Sequence, residues 1–308
     1  MDAQEASVAE NVTAPQVRAR KVAAGGDPLV MVTAYDAPGG LIADEAGVDI
    51  ILVGDTLAMV VLGYEDTLQV TVEEMAHHTA AVARARPRAM VLGDMPWMSY
   101  HVSTEETVRN AAKLIRAGAG AVKLEGGAKR APMIRALVDA EIPVVGHIGL
   151  TPQSVHALGG FKVQGKQADA ARALLADAQA LVEAGVFAIV LEAVPDEVAR
   201  MITESVPVPT IGIGAGPHCD GQVLVWHDLL GFQDRLRPKF VRTYAHLKTE
   251  AVEAIRRYAA DVRSGDFPNA AESYHLPDGV AETFGRDAAV PEPEATLAFY
   301  GDDASLNP

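Results

Sequence analysis

Short apolar runs alternate with longer amphipathic stretches along most of the chain, and this alternation restricts the possible fold more than any other sequence feature. The stretches between the runs repeat their apolar residues at helical spacing. A strand–helix alternation implies parallel strands joined by crossover helices. Eight runs have the length and composition of buried strands: 29–34, 49–53, 89–93, 120–124, 143–147, 187–191, 210–213 and, with a weaker pattern, 223–226.

Eight strand–helix units in about 230 residues match a (β/α)8 barrel in number and size. A doubly wound open sheet is the main alternative. We predict one barrel as the catalytic domain, residues 1–275, with a loose amino-terminal segment of about 20 residues, 1–20. The composition of the remaining segment, 276–308, predicts a poorly ordered carboxy-terminal extension.

Composition and charge exclude several classes of function. A chain of 308 residues that is 49% hydrophobic can bury a large core, but its apolar runs are too short for a transmembrane helix. The polar, acidic start lacks the layout of a signal peptide, and the single cysteine, Cys219, excludes an internal disulfide, so we expect a cytoplasmic protein. A net charge of −15 makes nucleic acids and anionic membranes poor partners.

Ionisable residues stand at the carboxyl ends of five successive predicted strands. The carboxyl ends of a parallel barrel share one rim, where barrel enzymes carry their chemistry. Neighbouring strands are about 4.8 Å apart, so these side chains can converge on one point. The six residues are Asp55, Asp94, Lys123, Glu125, His147 and Glu192.

These residue types in this arrangement predict a metal site. Asp55, Asp94 and Glu125 would supply carboxylate oxygens, which suit Mg²⁺ or a similar hard cation. Lys123 lies two residues before Glu125, so both side chains face the same side of their strand. A lysine and a histidine beside the cation could hold an anionic substrate.

Each residue alone has a simpler explanation. An aspartate after a strand is often a helix N-cap, a buried Lys123–Glu125 ion pair would account for those two residues, and His147 could be a hydrogen-bonded core residue. An unpaired charge within an apolar strand is nevertheless costly. Five strands that end in this way favour a functional site over five separate structural explanations.

Seven motifs, in this order along the chain, closely resemble the ketopantoate hydroxymethyltransferase family over residues 29–275. The resemblance implies a Mg²⁺-dependent (β/α)8 barrel related to phosphoenolpyruvate mutase and isocitrate lyase, with one Mg²⁺ per subunit. It also implies transfer of a one-carbon unit from methylene-tetrahydrofolate to α-ketoisovalerate, and a homo-oligomer, specifically a decamer. The motifs are TAYDA, LVGDTLAMVVLGYEDTLQVT, GDMPWMSY, AVKLEGG, GHIGLTPQSVHALGGFKVQG, LEAVP and IGIGAGPHCDGQVLVWHDLLGF.

By the same resemblance, Asp55 and Asp94 match metal-site aspartates that also contact the substrate. Glu125 matches the third metal-site carboxylate, and Lys123 and His147 match substrate-binding positions.

The resemblance implies two further roles. Glu192 matches the proton acceptor, and Thr56, where the family usually has serine, would contact the substrate carboxylate. Three more departures from the family pattern, Ala58, Asp66 and Gln69, follow the first metal-site aspartate and could tune the adjoining loop.

Two other functions remain open at this point. One is a folate-independent, Mg²⁺-dependent carbon–carbon lyase or aldolase that acts on a 2-keto acid, and the other is a non-catalytic barrel subunit. The chain lacks a KKCGH-like cysteine motif, which argues against the isocitrate lyase type of enzyme. If folate is used, the segments GIGAG and HCDGQ could help to frame it.

Overall fold

Eight parallel strands close into a barrel in the computed structural model, in the order β1 to β8 with β8 paired to β1. The structure describes residues 11–233, 238–277, 279, 280 and 283. This closed sheet confirms the predicted (β/α)8 barrel and excludes the open sheet. The strands are β1 (Leu29–Thr33), β2 (Ile50–Val53), β3 (Met90–Asp94), β4 (Ala121–Glu125), β5 (Val144–Gly149), β6 (Ala188–Glu192), β7 (Thr210–Ile213) and β8 (Gly221–Leu224).

Helices of very different lengths connect and flank the strands. Four 3-10 turns, Val22–Ala24, Ala128–Arg130, Pro152–Ser154 and Ala270–Glu272, complete the regular elements of the described residues. The helices are α1 (Ala14–Arg18), α2 (Ala37–Glu45), α3 (Leu57–Val60), α4 (Val72–Ala83), α5 (Thr104–Arg116), α6 (Ala131–Asp139), α7 (Val155–Leu158), α8 (Ala168–Ala184), α9 (Asp196–Ser205), α10 (Trp226–Leu229) and α11 (Leu247–Ser264).

The helix ends follow from local chemistry. At the start of α4, the Thr71 hydroxyl accepts from the Glu74 backbone N–H and the Glu74 carboxylate accepts from the Thr71 N–H, as the capping box in the sequence predicts. After α5 and α8, Gly118 and Gly185 have φ of +107° and +101°, a conformation that other residues rarely adopt. These caps place the helices against the strands that follow.

Two layers of apolar side chains form the core. The inner layer fills the barrel with residues such as Met31, Leu52 and Val190, and the outer layer packs the strands against the helices. The inner layer also contains Val17 of α1, which is fully buried. The described part of the segment 1–20, residues 11–20, contains this helix, and the loose character of the segment stays a prediction.

A buried ion pair ties the amino-terminal segment to the barrel. The Lys21 ammonium lies 2.8 Å from Asp220 Oδ2 and donates to the Thr203 carbonyl oxygen. Asp220 also accepts from the backbone N–H groups of Val22 and Thr210. Both charged side chains are therefore buried and fully partnered.

The chain divides into two compact units, one up to Lys248 and the other from Thr249 onward. The first unit contains all eight strands, and the domain boundary at residue 275 stays a prediction. The second unit contains most of α11 and the Ala270–Glu272 turn. Most of the predicted extension, 276–308, lies outside the described residues. Within the described part of the chain, no helix is long and apolar enough to cross a membrane.

Candidate active site

The carboxyl ends of β2 to β6 bring the predicted site residues to one cavity inside the barrel rim. Asp94, Glu125 and Glu192 are the last residues of β3, β4 and β6. The register sets Asp94 beside Lys123 and Glu125 beside His147. The cavity lining includes all seven predicted residues: Asp55, Thr56, Asp94, Lys123, Glu125, His147 and Glu192.

Two aspartates and a lysine form the deepest part of this cavity. The Lys123 Nζ lies 2.7 Å from Asp94 Oδ1, and the Asp55 backbone N–H donates to Asp94 Oδ2 at 3.1 Å. All three side chains are almost fully buried. Lys123 therefore pairs with Asp94 on the neighbouring strand. The simpler explanation drawn from the sequence had paired it with Glu125.

The pKa values of Asp55 and Lys123 are both raised, but for different physical reasons. Burial raises the pKa of Asp55 well above its usual range, and repulsion from Asp94 and Glu125 raises it further. Burial lowers the pKa of Lys123, but the attraction of Asp94, Glu125 and Asp55 outweighs burial and raises it overall. Lys123 is therefore a permanent cation among carboxylates that repel one another.

His147 stands between two carboxylates. Its Nδ1 lies 3.5 Å from Glu125 Oε1, and its Nε2 lies 3.3 Å from Glu192 Oε2. Burial and the Lys123 cation lower the pKa of His147, but its hydrogen bonds to Glu125 and Glu192 prevail and raise it to about 9. The two carboxylates thus favour the protonated imidazole, which would add a second cation to the cavity.

Gly149 allows the Glu192 end of β6 to lie against β5. It pairs with Glu192 in the sheet and has φ of +98°. A side chain at this position would collide with the Glu192 carbonyl oxygen. The Glu192 side chain is 18% exposed, so its carboxylate is more accessible to solvent than the His147 side chain beside it, which is 3% exposed.

Gln153 was not predicted, yet it joins two of the predicted site residues, Asp55 and Glu125. Its Nε2 donates to Asp55 Oδ2 and to the Met95 carbonyl oxygen, both at 2.9 Å. Its backbone N–H donates to Glu125 Oε2 at 3.0 Å. Gln153 is only 4% exposed. It lies within the motif that begins GHIGLTPQS, but nothing in its local pattern distinguishes it from a turn residue.

Tyr100 extends the same network. Its hydroxyl donates to Gln153 Oε1 at 2.5 Å and accepts from the Glu125 backbone N–H at 3.1 Å. Tyr100 is 1% exposed, so its hydroxyl is shielded from bulk solvent. Together Gln153 and Tyr100 hold Asp55 and Glu125 in fixed positions.

The charge balance of the cavity fits a hard divalent cation. Four carboxylates, Asp55, Asp94, Glu125 and Glu192, face the two cations Lys123 and His147, which leaves an excess of two negative charges when all are ionised. Carboxylate oxygens are the ligands that Mg²⁺ prefers. Among the described residues, no group of three His, Cys, Asp or Glu side chains is already arranged as a coordination shell, since Asp94 faces Lys123 and Asp55 faces Gln153.

Other sequence features lie outside this cavity. The segments GIGAG and HCDGQ contribute only Ile213 to its lining, and Cys219 does not line it. Of the three departures from the family pattern, Ala58 is fully buried, and Asp66 Oδ1 accepts from the Leu68 backbone N–H at 2.9 Å. His78 of α4 hydrogen-bonds through Nδ1 to the Tyr35 carbonyl oxygen.

The closed parallel barrel places the chain in the class of (β/α)8 barrel proteins. A crystal structure of phosphonopyruvate hydrolase in complex with oxalate and Mg²⁺ matches with a TM-score of 0.55 and 16% identity, over 89% of this chain and 96% of that one. The structure of 2,3-dimethylmalate lyase, a member of the phosphoenolpyruvate mutase/isocitrate lyase superfamily, matches with a TM-score of 0.55 and 18% identity, over 89% and 97%. At such identity the likeness concerns the fold alone.

Within this class, the chain belongs to the ketopantoate hydroxymethyltransferase family, whose model matches residues 11–270. The 3-methyl-2-oxobutanoate hydroxymethyltransferase of Moorella thermoacetica is 58% identical over 264 residues, which is 85% of this chain and 97% of the relative. The enzyme of the same name from Ignicoccus hospitalis is 60% identical over 250 residues, 81% and 94% of the two chains. The resemblance stated from the motifs is thereby confirmed.

Proposed function

We infer that this barrel catalyses the reaction of its family. The chain is a hydroxymethyltransferase: it transfers a hydroxymethyl group from methylene-tetrahydrofolate to 3-methyl-2-oxobutanoate and forms ketopantoate and tetrahydrofolate, the first committed step of pantothenate biosynthesis. The observation that carries the inference at the level of the site is the convergence of four carboxylates, a lysine and a histidine on one rim cavity.

Asp55, Asp94 and Glu125 would hold one Mg²⁺ per subunit. The support for this assignment is their burial, their oxygen ligands and the excess negative charge of the cavity. When bound, Mg²⁺ supplies Lewis acidity that makes the carbon next to the substrate carbonyl more acidic. Asp55 and Asp94 also face the space that the keto acid would occupy.

Three further residues bind the anionic keto acid in this proposal. Lys123 and His147 are cations within the cavity, so they attract the carboxylate and the carbonyl oxygen of the substrate. Thr56 is partly exposed at the cavity wall, where its hydroxyl can donate to the substrate carboxylate. Threonine has a hydroxyl, like the serine that is usual in the family, so Thr56 can make the same contact with the substrate carboxylate.

Glu192 is the general base. It removes the proton from the substrate carbon that becomes the nucleophile, and His147, 3.3 Å away, orients its carboxylate. The side chain keeps 18% exposure, which gives the proton a route out of the site. The carbon nucleophile then attacks the methylene carbon of the folate in its iminium form, so a C–C bond forms as the C=N π electrons move to nitrogen. Water then replaces the remaining folate nitrogen at that carbon: its hydroxyl stays on the product, the C–N bond breaks, and tetrahydrofolate leaves with the proton on nitrogen.

The chain also self-associates in our proposal, as a decamer. Of the described residues of α11, none is buried. Ile255, Tyr258 and Val262 are three and four residues apart, hence on one face of the helix, and are 65%, 56% and 47% exposed. An apolar face of this kind is typical of a subunit interface. Light scattering on the purified protein measures the mass, and a monomer would contradict the proposal.

One assay tests the function. The purified protein is supplied with 3-methyl-2-oxobutanoate, methylene-tetrahydrofolate and Mg²⁺, and each is omitted in turn while ketopantoate is measured. Product should require all three. Turnover without the folate would instead indicate a folate-independent lyase or aldolase. A protein that binds neither the cation nor the keto acid would be a non-catalytic subunit.

A further inference from the structure

A second cavity opens on the same rim, beside the keto-acid cavity. Its volume is about 240 Å³, compared with about 50 Å³ for the keto-acid cavity. None of the residues assigned above to the cation, the keto acid or proton transfer lines it. We call it the aromatic cavity, and its principal lining residues are Tyr35, Asp36, His78, Trp226, His227 and Phe232.

The two cavities share a wall made by the ends of β1 and β8. Thr33 and Val225 line the keto-acid cavity, whereas the next residue in each segment, Ala34 or Trp226, lines the aromatic cavity. The Trp226 backbone N–H donates to the Thr33 hydroxyl at 2.9 Å and ties the two segments together. A ligand in the aromatic cavity would therefore lie next to the bound keto acid.

Aromatic rings dominate the aromatic cavity. The His227 ring lies between those of Tyr35 and Phe232, with its centroid 5.6 Å from each. Ring centroids at such distances stabilise one another and offer flat surfaces to a further ring. This lining favours a planar heteroaromatic ligand over an aliphatic or highly charged one.

Two buried polar atoms in the lining lack partners. Tyr35 is 5% exposed, and its hydroxyl makes no hydrogen bond of normal geometry within the described part of the chain. The same holds for His227 Nδ1. Buried polar atoms are rarely left without a partner, so these two are available to a ligand or to water.

The aromatic cavity also offers a carboxylate. Asp36 Oδ1 caps α2 by accepting from the Gly39 N–H at 2.7 Å, while its other oxygen has no hydrogen bond among the described residues. Asp36 also lies close enough to His227 to act on it electrostatically. A ligand with N–H donors on a flat ring would match this acceptor.

We propose that the aromatic cavity binds the reduced pterin ring of methylene-tetrahydrofolate. A pterin is a planar heterocycle whose edge carries N–H donors and a carbonyl acceptor, which match Asp36, Tyr35 and His227. Bound there, the ring would present its methylene group to the nucleophilic carbon of the keto acid at the shared wall. This inference rests on the hydroxymethyl transfer described above. It also places the ring away from the GIGAG and HCDGQ segments, neither of which lines the aromatic cavity.

Direct binding tests the assignment. Tyr35→Phe and His227→Gln each remove one polar partner with little change of shape, and each should weaken binding of 5-formyltetrahydrofolate about tenfold in calorimetry. Matched controls are Tyr274→Phe and His246→Gln, which alter an exposed tyrosine and an exposed histidine and should bind as wild type does. The fragment 6-methyltetrahydropterin, which lacks the benzoylglutamate part, should compete for the same site.

A filled cavity gives a second test that does not depend on hydrogen bonds. Val61 is 43% exposed and lines the aromatic cavity, so Val61→Trp should occupy the space without disturbing the core. This variant should weaken folate binding at least as much as Tyr35→Phe does. Thermal melting of every variant verifies folding.

The experiment separates failure of this proposal from failure of the assigned reaction. With Mg²⁺ and no folate, exchange of the C3 hydrogen of 3-methyl-2-oxobutanoate reports the keto-acid site alone. If wild type is active and Val61→Trp binds folate normally, the pterin lies elsewhere and the proposal is overturned. The proposal is also overturned if Tyr35→Phe and His227→Gln slow the C3 hydrogen exchange by as large a factor as they weaken folate binding. A wild-type protein that makes no ketopantoate would refute the reaction itself.

Discussion

Gln153 supports the carboxylate cluster without lining the keto-acid cavity, and Gln153→Met should therefore weaken cation binding. Methionine matches the length of glutamine but cannot donate to Asp55 or accept from Tyr100, which are the contacts that Gln153 makes at 2.9 and 2.5 Å. Its backbone N–H is retained, so the bond to Glu125 Oε2 survives the substitution. The change thus releases Asp55 and leaves Glu125 held.

The expected magnitude follows from the bonds lost. A buried polar group left without its partner costs about 1–3 kcal/mol. The substitution affects Asp55 Oδ2, the Met95 carbonyl and the Tyr100 hydroxyl, and Tyr100 keeps its bond from the Glu125 N–H. The free energy of unfolding should fall by roughly 2–5 kcal/mol. Loss of a residue that orients a metal ligand typically reduces metal affinity by about 10–100-fold.

Calorimetry with Mg²⁺ in the presence of 3-methyl-2-oxobutanoate measures the affinity, and chemical denaturation measures the stability. Gln179→Met is the matched control, because Gln179 also donates to a backbone carbonyl but is exposed. Tyr100→Phe removes only the hydroxyl. If both residues act through one network, the double variant should lose less than the two single variants together.

The reasoning would be refuted by a Gln153→Met protein that is less stable yet binds Mg²⁺ and keto acid with wild-type affinity. In that case the amide only fills space. Strict additivity with Tyr100→Phe would likewise show that the two residues act separately.

Three further predictions concern the base, the metal ligands and the opposite end of the barrel. Glu192→Gln keeps the shape but cannot accept a proton, so NMR in heavy water should show substrate C3 exchange, without folate, slowed by about 10²–10⁴-fold while keto-acid binding persists; exchange at the wild-type rate would mean that another group is the base. Asp55→Asn and Asp94→Asn should each weaken Mg²⁺ and keto-acid binding together in calorimetry, and normal binding of both would place the metal site elsewhere. Lys21→Met leaves Asp220 charged and buried without its cation, which should lower the unfolding free energy by about 3–5 kcal/mol in denaturant titrations. Because this pair lies far from the rim chemistry, kcat per folded molecule should hardly change, and a large fall in kcat would contradict that separation.

The sequence by itself determined the barrel and predicted where its site lies. The apolar runs are nearly continuous because both faces of each strand are buried, so their number and alternation with helices define the fold. The charged residues that interrupt the ends of β2 to β6 then mark the carboxyl rim. Strand ends differed from the prediction by at most two residues, as with β8, predicted at 223–226 and observed at Gly221–Leu224.

Only the tertiary structure decided which groups meet. Gln153 reaches Asp55 across 98 positions of the chain, and Lys21 reaches Asp220 across 199. Lys123 pairs with Asp94 because barrel closure sets the register of β3 against β4, which no local pattern encodes. Local periodicity reports which face of an element is buried. Which groups pair instead depends on how distant segments pack. A buried polar group needs a hydrogen-bond partner, and the fold supplies that partner from any part of the chain.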